Sequence, residues 1–152
     1  YIFPSYRMRD TSAVVRGDTL RVDGFDYVSR DSAFKPRTIT SSVFLKPGER
    51  YSRKSHNLSL SRLMGMGVFH YANIRFVDSL KNGRGQLDAF IYLTPMKKRS
   101  LQLELQMVTK SNNYSGPAVI LGYRNRNLFR GAELFVFNLN GNFETQFTGI
   151  QK

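Results

Sequence analysis

The chain has 152 residues, 41% of them apolar and 13% aromatic, which suits one domain, or one small domain with part of another. Its 23 Lys and Arg residues exceed its 11 Asp and Glu residues, and the net charge of +12 favours acidic partners such as nucleic acid or anionic lipid. The absence of Cys excludes disulfides, thiolate nucleophiles and Cys-ligated metals, and no apolar run approaches the roughly 20 residues of a membrane-spanning helix. The start, Tyr1-Ile-Phe-Pro, lacks an initiator Met and a signal peptide, so we expect a segment excised from a longer protein.

The first part of the chain predicts two short strands followed by a helix. Residues 1–6 and 22–28 are β-prone, and the turn formers Gly17-Asp18 and Asp23-Gly24 lie near them. Pro36 suits the first position of a helix, although the Thr and Ser residues that follow are indifferent helix formers. We therefore expect two strands and a polar loop before a short helix.

A turn and a second helix follow. In Lys46-Pro-Gly-Glu49, proline presets the second position of a type II turn and glycine accepts the positive φ of the third. Ser52 is a suitable N-cap for the next helix, which Gly65 and Gly67 would end. Its predicted apolar stripe consists of His56, Leu60, Leu63 and Met64.

The rest of the chain predicts antiparallel strands. Residues 68–77 and 86–93 are rich in β formers, and the glycine-containing residues 81–85 between them predict a hairpin. Further on, Leu101, Leu103, Leu105 and Met107 alternate with mostly polar residues, and strands are also predicted over 117–124 and 133–143. Such alternation is typical both of a soluble sandwich and of a transmembrane β-barrel, and it leaves the two open.

Particular motifs resemble one family. The order strand, helix, turn, helix and hairpin over residues 1–94 resembles a POTRA domain of outer-membrane assembly factors of the BamA and TamA kind. The segment 46–52 is similar to the turn between the two POTRA helices, and Leu63-Met-Gly-Met-Gly-Val-Phe69 is similar to the family's helix end. Residues 93–101 resemble the junction of the last POTRA domain with the barrel. Asn125-Arg-Asn-Leu-Phe-Arg-Gly-Ala-Glu133 resembles the turn after the second barrel strand.

The resemblance implies an α+β fold in two parts. Residues 1–95 would form a POTRA-like β-α-α-β-β domain in the periplasm, and residues 96–152 would be the first antiparallel strands of a truncated outer-membrane barrel. Residues 8–31 exceed the loop expected in a POTRA domain, which predicts an insertion there. A few barrel strands cannot close, so we also expect the fragment to associate with itself or to swap strands.

The implied function is assembly or insertion of outer-membrane proteins, with no catalysis and no cofactor. An unfolded outer-membrane protein or a periplasmic partner would add a strand to the sheet, at an edge formed by His70, Tyr71, Ala72, Asn73, Ile74, Arg75 and Phe76. Leu101, Leu103, Leu105 and Met107 would form the first barrel strand at its seam. Lys97, Lys98 and Arg99 would contact anionic lipid of the outer membrane. A general insertase and a specialised one fit the resemblance equally.

The sequence also bears on two other classes of protein, nucleic-acid-binding modules and hydrolases. A basic α+β module could bind nucleic acid by stacking bases on Tyr71 and Phe76, although we do not expect nucleic acid as the partner. Common motifs of hydrolases and of phosphate-binding loops do not occur in the sequence. His56 and His70 have neither a Cys nor a pair of acids at ligand spacing, so we expect structural roles for both and no metal site.

Overall fold

The computed structural model describes residues 1–6, 17–29, 32–81, 84–111 and 114–146, and within them the fold is α+β with mostly antiparallel strands. The side chains of Lys81 and Arg84 lie outside that description. In chain order the elements are β1 Ile2–Phe3, β2 Asp18–Val22, β3 Phe25–Ser29, α1 Pro36–Thr40, α2 Arg53–Gly65, β4 Phe69–Lys81, β5 Arg84–Pro95, β6 Arg99–Thr109, β7 Tyr114–Asn125, β8 Phe135–Asn142 and β9 Thr145–Gln146.

The described residues divide into two compact units. The first unit comprises Tyr1–Lys98 together with Arg126–Leu134, and the second comprises Arg99–Asn125 with Phe135–Lys152. The short segment that follows β7 along the chain is thus part of the first unit. No described helix combines the length and the hydropathy that crossing a membrane would require.

The first unit contains a five-stranded sheet in the order β2-β3-β1-β5-β4. The central strand β1 is parallel to both of its neighbours, with Ile2 opposite Tyr27 on β3 and opposite Ile91 on β5. The hairpins β2/β3 and β4/β5 are antiparallel. Among the described residues, β2 and β4 are therefore the two edges of this sheet.

The sequence-based prediction of one strand over residues 22–28 was wrong. A turn at Asp23 and Gly24 divides this region, and the two residues have φ of 51° and 81°. Positive φ at both central positions is typical of the type I′ turn, whose twist suits a two-residue hairpin. The result is the β2/β3 hairpin, which occupies residues 18–29 of the predicted insertion; residues 8–16 and 30–31 lie outside the described part.

Both helices begin where the sequence predicted. Pro36 opens α1, where its missing N–H costs no hydrogen bond, and the Ser52 hydroxyl accepts from the Ser55 backbone N–H at 3.4 Å as the N-cap of α2. Gly48, in the turn between them, has φ of 83°, as a type II turn requires.

One hydrophobic core lies in the first unit. The core residues come from both helices, from the loops beside them and from strands β1, β3, β4 and β5: Ile2, Tyr27, Phe34, Ile39, Val43, Leu63, Val68, Phe69, Ile74, Ile91 and Leu93. Leu63 is fully buried, whereas Met64 of the predicted stripe is 43% exposed. The buried neighbour of Leu63 one turn earlier is Ser59, whose hydroxyl donates to the Ser55 carbonyl at 2.7 Å. The buried face of α2 is thus partly polar.

The predicted hairpin over residues 68–93 is confirmed, with longer strands than expected. The two strands pair continuously from Tyr71 opposite Thr94 to Lys81 opposite Arg84. Arg84 and Gly85, which were predicted to lie in the turn, therefore belong to β5, while residues 82 and 83 lie outside the described part.

The second unit contains an antiparallel sheet in the order β6-β7-β8, with β9 also paired to β7. The three predicted strands are present with slightly different ends. Ala118 lies opposite Asn142 and Ser115 opposite Thr145, so β8 and β9 share one register. The interruption between them coincides with Pro117, which has no N–H to donate to the ladder.

Candidate functional site

The open edge of the first sheet is β4, and it contains all seven residues of the predicted strand-binding edge. Within the described residues β4 pairs with β5 alone, so its other side carries backbone N–H and C=O groups without a strand partner. At 13 residues β4 is long for an edge strand. A long row of such groups is the arrangement to which an extended peptide can add.

The hydrogen bonds of β5 show which backbone groups of β4 point outward. Ile91 N donates to the Tyr1 carbonyl at 2.9 Å, and the Leu93 carbonyl accepts from Tyr6 N at 2.9 Å, so both residues direct their backbone groups towards β1. Backbone groups alternate along a strand, and therefore Tyr92 directs its groups towards Asn73, its partner on β4. It follows that Ala72 and its even-numbered neighbours Ile74 and Phe76 point their N–H and C=O groups to the open side.

The side chains of this edge alternate between the core and the outer face of the sheet. Ile74 is 5% exposed, and Ala72 and Phe76 also pack against the core. Tyr71, Asn73 and Arg75 are exposed on the opposite face. Since the two aromatic side chains Tyr71 and Phe76 lie on opposite faces, they cannot form the single stacking platform that the nucleic-acid alternative used.

His70 sits at an irregularity of the edge. The register shifts between Phe69 and Tyr71, which pair with the adjacent residues Pro95 and Thr94, and His70 is the extra residue. One extra residue opposite a regular strand is a β-bulge, which bends the strand and increases its twist. The bulge therefore limits the regular part of the edge to the residues that follow His70.

An aromatic cluster lies beside the edge on the helix side of the sheet. The Phe76 ring is 4.9 Å from that of Tyr51 and 5.4 Å from that of His56, measured between ring centroids. The Tyr51 hydroxyl lies 3.4 Å from His56 Nδ1, and the Tyr51 side chain is 46% exposed. The cluster provides a partly exposed apolar surface next to the outward backbone groups of β4.

The second sheet has one apolar face and one polar face. The predicted seam residues share the apolar face, and their exposed fractions are 70% for Leu101, 63% for Leu103, 77% for Leu105 and 77% for Met107. Rows of paired residues continue this face across the sheet: Leu101, Tyr123, Phe137 in one row and Leu103, Leu121, Leu139 in the next. The intervening rows carry Gln102, Gly122, Asn138 and Glu104, Ile120, Asn140.

Most of the large apolar side chains of this sheet are therefore exposed. Phe137 is 50% and Leu139 56% exposed, whereas the polar face holds its own hydrogen bonds, such as that from Gln106 Nε2 to Glu104 Oε2 at 3.2 Å. In a water-soluble sheet the apolar face would be covered. Within the described residues β6 pairs only with β7, so the predicted seam strand is also an edge.

The three basic residues of the predicted lipid contact are all exposed. Lys97 and Lys98 end the main part of the first unit, and Arg99 begins β6 in the second. The backbone carbonyl of Lys98 accepts from Arg126 N at 2.9 Å, and Lys98 itself is exposed.

Two titratable groups outside the predicted edge, Tyr27 and Glu133, have shifted pKa values. Burial raises the pKa of the Tyr27 hydroxyl to about 12. The pKa of Glu133 is lowered, first by its own backbone N–H, then by those of Phe129 and Gly131, and by the charge of Lys35. In the part of the chain that the structure describes, no group of three or more His, Cys, Asp or Glu side chains is placed to hold a metal ion.

Sequence reasoning missed one feature, the anchoring of Arg126–Leu134 in the first unit. Asn127 is 5% exposed, and its side chain donates to the Ala33 carbonyl at 2.6 Å. The motif of residues 125–133 was noticed only as a turn after a strand. Its asparagine and glycine are the residues that tight, side-chain-bonded turns use, but nothing in their spacing identifies a partner 94 residues away.

The fold of the chain is similar to that of a known protein, although its sequence matches no family. No protein-family model matches the chain. No curated protein matches it either. Among solved structures the chain is similar to CdiB from Acinetobacter baumannii, with a TM-score of 0.58 and 12% sequence identity. The match covers 82% of this chain and 26% of that one, so this chain corresponds to about a quarter of the CdiB chain. At this identity the likeness concerns the fold alone.

Proposed function

We propose that the chain is a segment of an outer-membrane protein of the Omp85 type. The first unit would be a POTRA domain, and the second would be the opening strands of a transmembrane barrel. When the β2/β3 hairpin is set aside as an insertion, the first unit has the order β-α-α-β-β. The fold similarity to CdiB supports the same relationship.

The two faces of the second sheet support the barrel part of this proposal. A barrel strand alternates between lipid and lumen, so one face is apolar and the other polar. Leu105, at 77% exposed, and Gln106, also exposed, are neighbours of this kind. Lipid is the solvent that would make so many exposed large apolar side chains favourable. This proposal assigns the protein to the outer membrane, with the first unit in the periplasm.

The function would be assembly or insertion of outer-membrane proteins, and it requires no catalytic group. An unfolded outer-membrane protein, or a periplasmic partner, would add a strand along β4. The observation that carries this proposal is the open side of β4, where Ala72, Ile74 and Phe76 point backbone groups away from β5. Backbone hydrogen bonds would supply affinity, and the Tyr51 cluster would favour peptides with apolar side chains at alternate positions.

The basic segment has a separate part in this proposal. Lys97 and Lys98 lie directly before β6, the strand that would enter the membrane first, and Arg99 is its first residue. Exposed cations at that position would attract the phosphates of anionic lipid or lipopolysaccharide.

Proline at Ala72 tests the edge. Because the N–H of Ala72 points to the open side, Ala72→Pro removes one donor for an incoming strand and none of the bonds to β5. Ala72→Ser retains the N–H and is the matched control. We expect Ala72→Pro to weaken binding of an unfolded outer-membrane protein by about two- to tenfold, the value of one hydrogen bond, while Ala72→Ser binds as the unmodified chain does.

Circular dichroism would establish that both variants remain folded. Equal binding by the proline variant and the unmodified chain would contradict the use of the β4 edge. Steeply salt-dependent binding of single-stranded RNA would instead favour a nucleic-acid-binding module.

A further inference from the structure

One flank of α2 lies beside the open edge of the first sheet, and it is apolar and partly exposed. His56 belongs to this flank, because its ring lies 5.4 Å from that of Phe76 on β4. Leu60 and Met64 follow at spacings of four residues, which keeps them on the same side of a helix. Leu60 is partly buried against the hydrophobic core, and Met64 is 43% exposed. These three residues are called the helix row below.

The other flank of α2 faces the rest of the first unit. Ser59 is fully buried there, and its hydroxyl accepts from Phe44 N, beyond the end of α1, at 2.8 Å. The helix row is therefore on the side of α2 that is turned away from α1. Within the described residues no strand of this sheet lies beyond β4, so nothing described there covers the row from that side.

The helix row and β4 have matching spacings. The end of α2 is joined to the start of β4 by a short connection, whereas His56, near the start of α2, contacts Phe76, well inside β4, so the two elements run in opposite directions. Four residues of an α-helix advance by about 6 Å, and two residues of a strand by about 6.6 Å. Counting from that contact gives three facing pairs: His56 with Phe76, Leu60 with Ile74, and Met64 with Ala72.

The strand members of these pairs are the residues whose backbone groups point to the open side of β4. Side chains on one face of an added strand recur every second residue, so each would meet one pair. Ala72 is the smallest of the three strand residues, and a methionine side chain adapts to irregular neighbours. The pair of Met64 and Ala72 therefore leaves the most room for a large side chain.

The outer face of the same edge has a different character. Arg75 is exposed on that face, and Asn73 and Tyr71 are exposed beside it. A residue of an added strand directly opposite Arg75 would also lie on the outer face, where a carboxylate is the favourable partner of a guanidinium. The two faces of the edge thus differ in the side chains that they would accept.

We propose that the helix row selects amphipathic strands at the β4 edge. The selected strand has three large apolar side chains at alternate positions facing α2, and an acidic residue between two of them, beside Arg75. Met64 and Leu60 are specificity-determining residues in this proposal. It rests on the proposed function, since it requires that the edge takes up strands.

Two labelled ten-residue peptides provide the test. One alternates Leu and Phe with Ser and Glu, and the other has the same composition with the alternation broken. Fluorescence anisotropy measures their binding to the full 152-residue chain in mild detergent, which occupies the exposed apolar face of the second sheet. We expect the alternating peptide to bind at least about tenfold more tightly than the other.

Met64→Gln should weaken binding of the alternating peptide about three- to tenfold, because apolar contact area is lost, and Met64→Leu should retain the binding. Leu58→Gln is the matched control: Leu58 is 46% exposed on the other flank of α2, and the substitution should leave binding unchanged. Arg75→Glu should weaken binding about two- to fivefold, and a peptide with Lys in place of Glu should reverse that loss.

The Ala72→Pro variant separates failure of this proposal from failure of the proposed function. If Ala72→Pro weakens binding, equal binding of the two peptides would overturn the selection, and so would equal binding by Met64→Gln and Leu58→Gln. If Ala72→Pro has no effect, the use of the β4 edge is itself contradicted, and the selection with it.

Discussion

The hydroxyl of Thr40 at the end of α1 donates to Asp23 Oδ2 at 2.6 Å, which ties the tip of the β2/β3 hairpin to the helical layer. The next residue, Gly24, lies so close to the α1–α2 turn that a Cβ built on it would be 3.1 Å from Pro47 Cγ. The hairpin is therefore integrated into the first unit at both its tip and its β3 strand, which pairs with β1. The hairpin, which the sequence predicted as part of an insertion, thus belongs to the sheet and its packing.

The Thr40–Asp23 bond predicts a clear difference between two substitutions of Asp23. Asp23→Ala removes the acceptor and places an unfavourable residue at φ of 51°, so we expect the free energy of unfolding to fall by about 1–3 kcal/mol. Asp23→Asn retains an acceptor and tolerates positive φ, and should cost less than about 1 kcal/mol. Urea unfolding followed by circular dichroism measures both values; equal losses would contradict a role for the hydrogen bond.

Tyr27 is only 2% exposed, and its buried hydroxyl has no hydrogen-bond partner among the described residues. Replacement by Phe should remove a desolvation cost and raise the free energy of unfolding by about 1 kcal/mol at neutral pH. Tyr51→Phe, at an exposed position, is the control and should change little. A loss of stability in Tyr27→Phe would mean that the hydroxyl has a hydrogen-bond partner in solution.

The raised pKa of Tyr27 also predicts a pH dependence. Burial raises this pKa from 10.0 to about 12, so the folded state favours the neutral phenol. The corresponding stability is present below pH 10 and is lost as the pH rises towards 12. The free energy of unfolding of the unmodified chain should therefore fall more steeply with pH over this range than that of Tyr27→Phe. An equal pH dependence in the two proteins would contradict the buried position of the hydroxyl.

Glu133 predicts the opposite pH dependence for the segment Arg126–Leu134. Its pKa lies below the ordinary value of 4.5 because its own backbone N–H and those of Phe129 and Gly131 donate hydrogen bonds to the carboxylate. The stabilisation is complete above the ordinary value and is lost as the pH falls through the lowered pKa. By NMR, the amides of Phe129 and Gly131 should lose protection against exchange below that point. In Glu133→Gln the protection should not change with pH in this range, and an unchanged profile in the unmodified chain would contradict the contact.

The predictable parts of the fold were those with a local physical cause. Ser52 caps α2 and Pro36 opens α1 because these requirements act within one turn of a helix. The alternation of Leu101, Leu103 and Leu105 likewise specifies one face of β6 regardless of what lies beyond it. The pairing of β4 with β5 followed from the β-forming residues on either side of a glycine-containing connection.

Most of the parts that were missed depend on distant partners. The exception is the predicted strand over residues 22–28, which was wrong because the turn formers Asp23 and Gly24 lie inside it and make the turn between β2 and β3. Met64 was expected to be buried, but Ser59 occupies that face, where its hydroxyl accepts from Phe44 N at 2.8 Å. The contact of Asn127 with Ala33 spans 94 residues, and no local pattern encodes it.

Light scattering of the purified chain, with and without mild detergent, shows whether the apolar face of the second sheet is a lipid-binding surface, as we propose. We expect a mass above the 17.5 kDa monomer in buffer, with detergent dissociating the assembly into detergent-bound single chains. Replacing Leu105 and Leu139 with Gln should weaken both the association and the detergent binding, whereas Gln106→Glu, on the polar face, should change neither. A monomer in buffer that binds no detergent would contradict the claim.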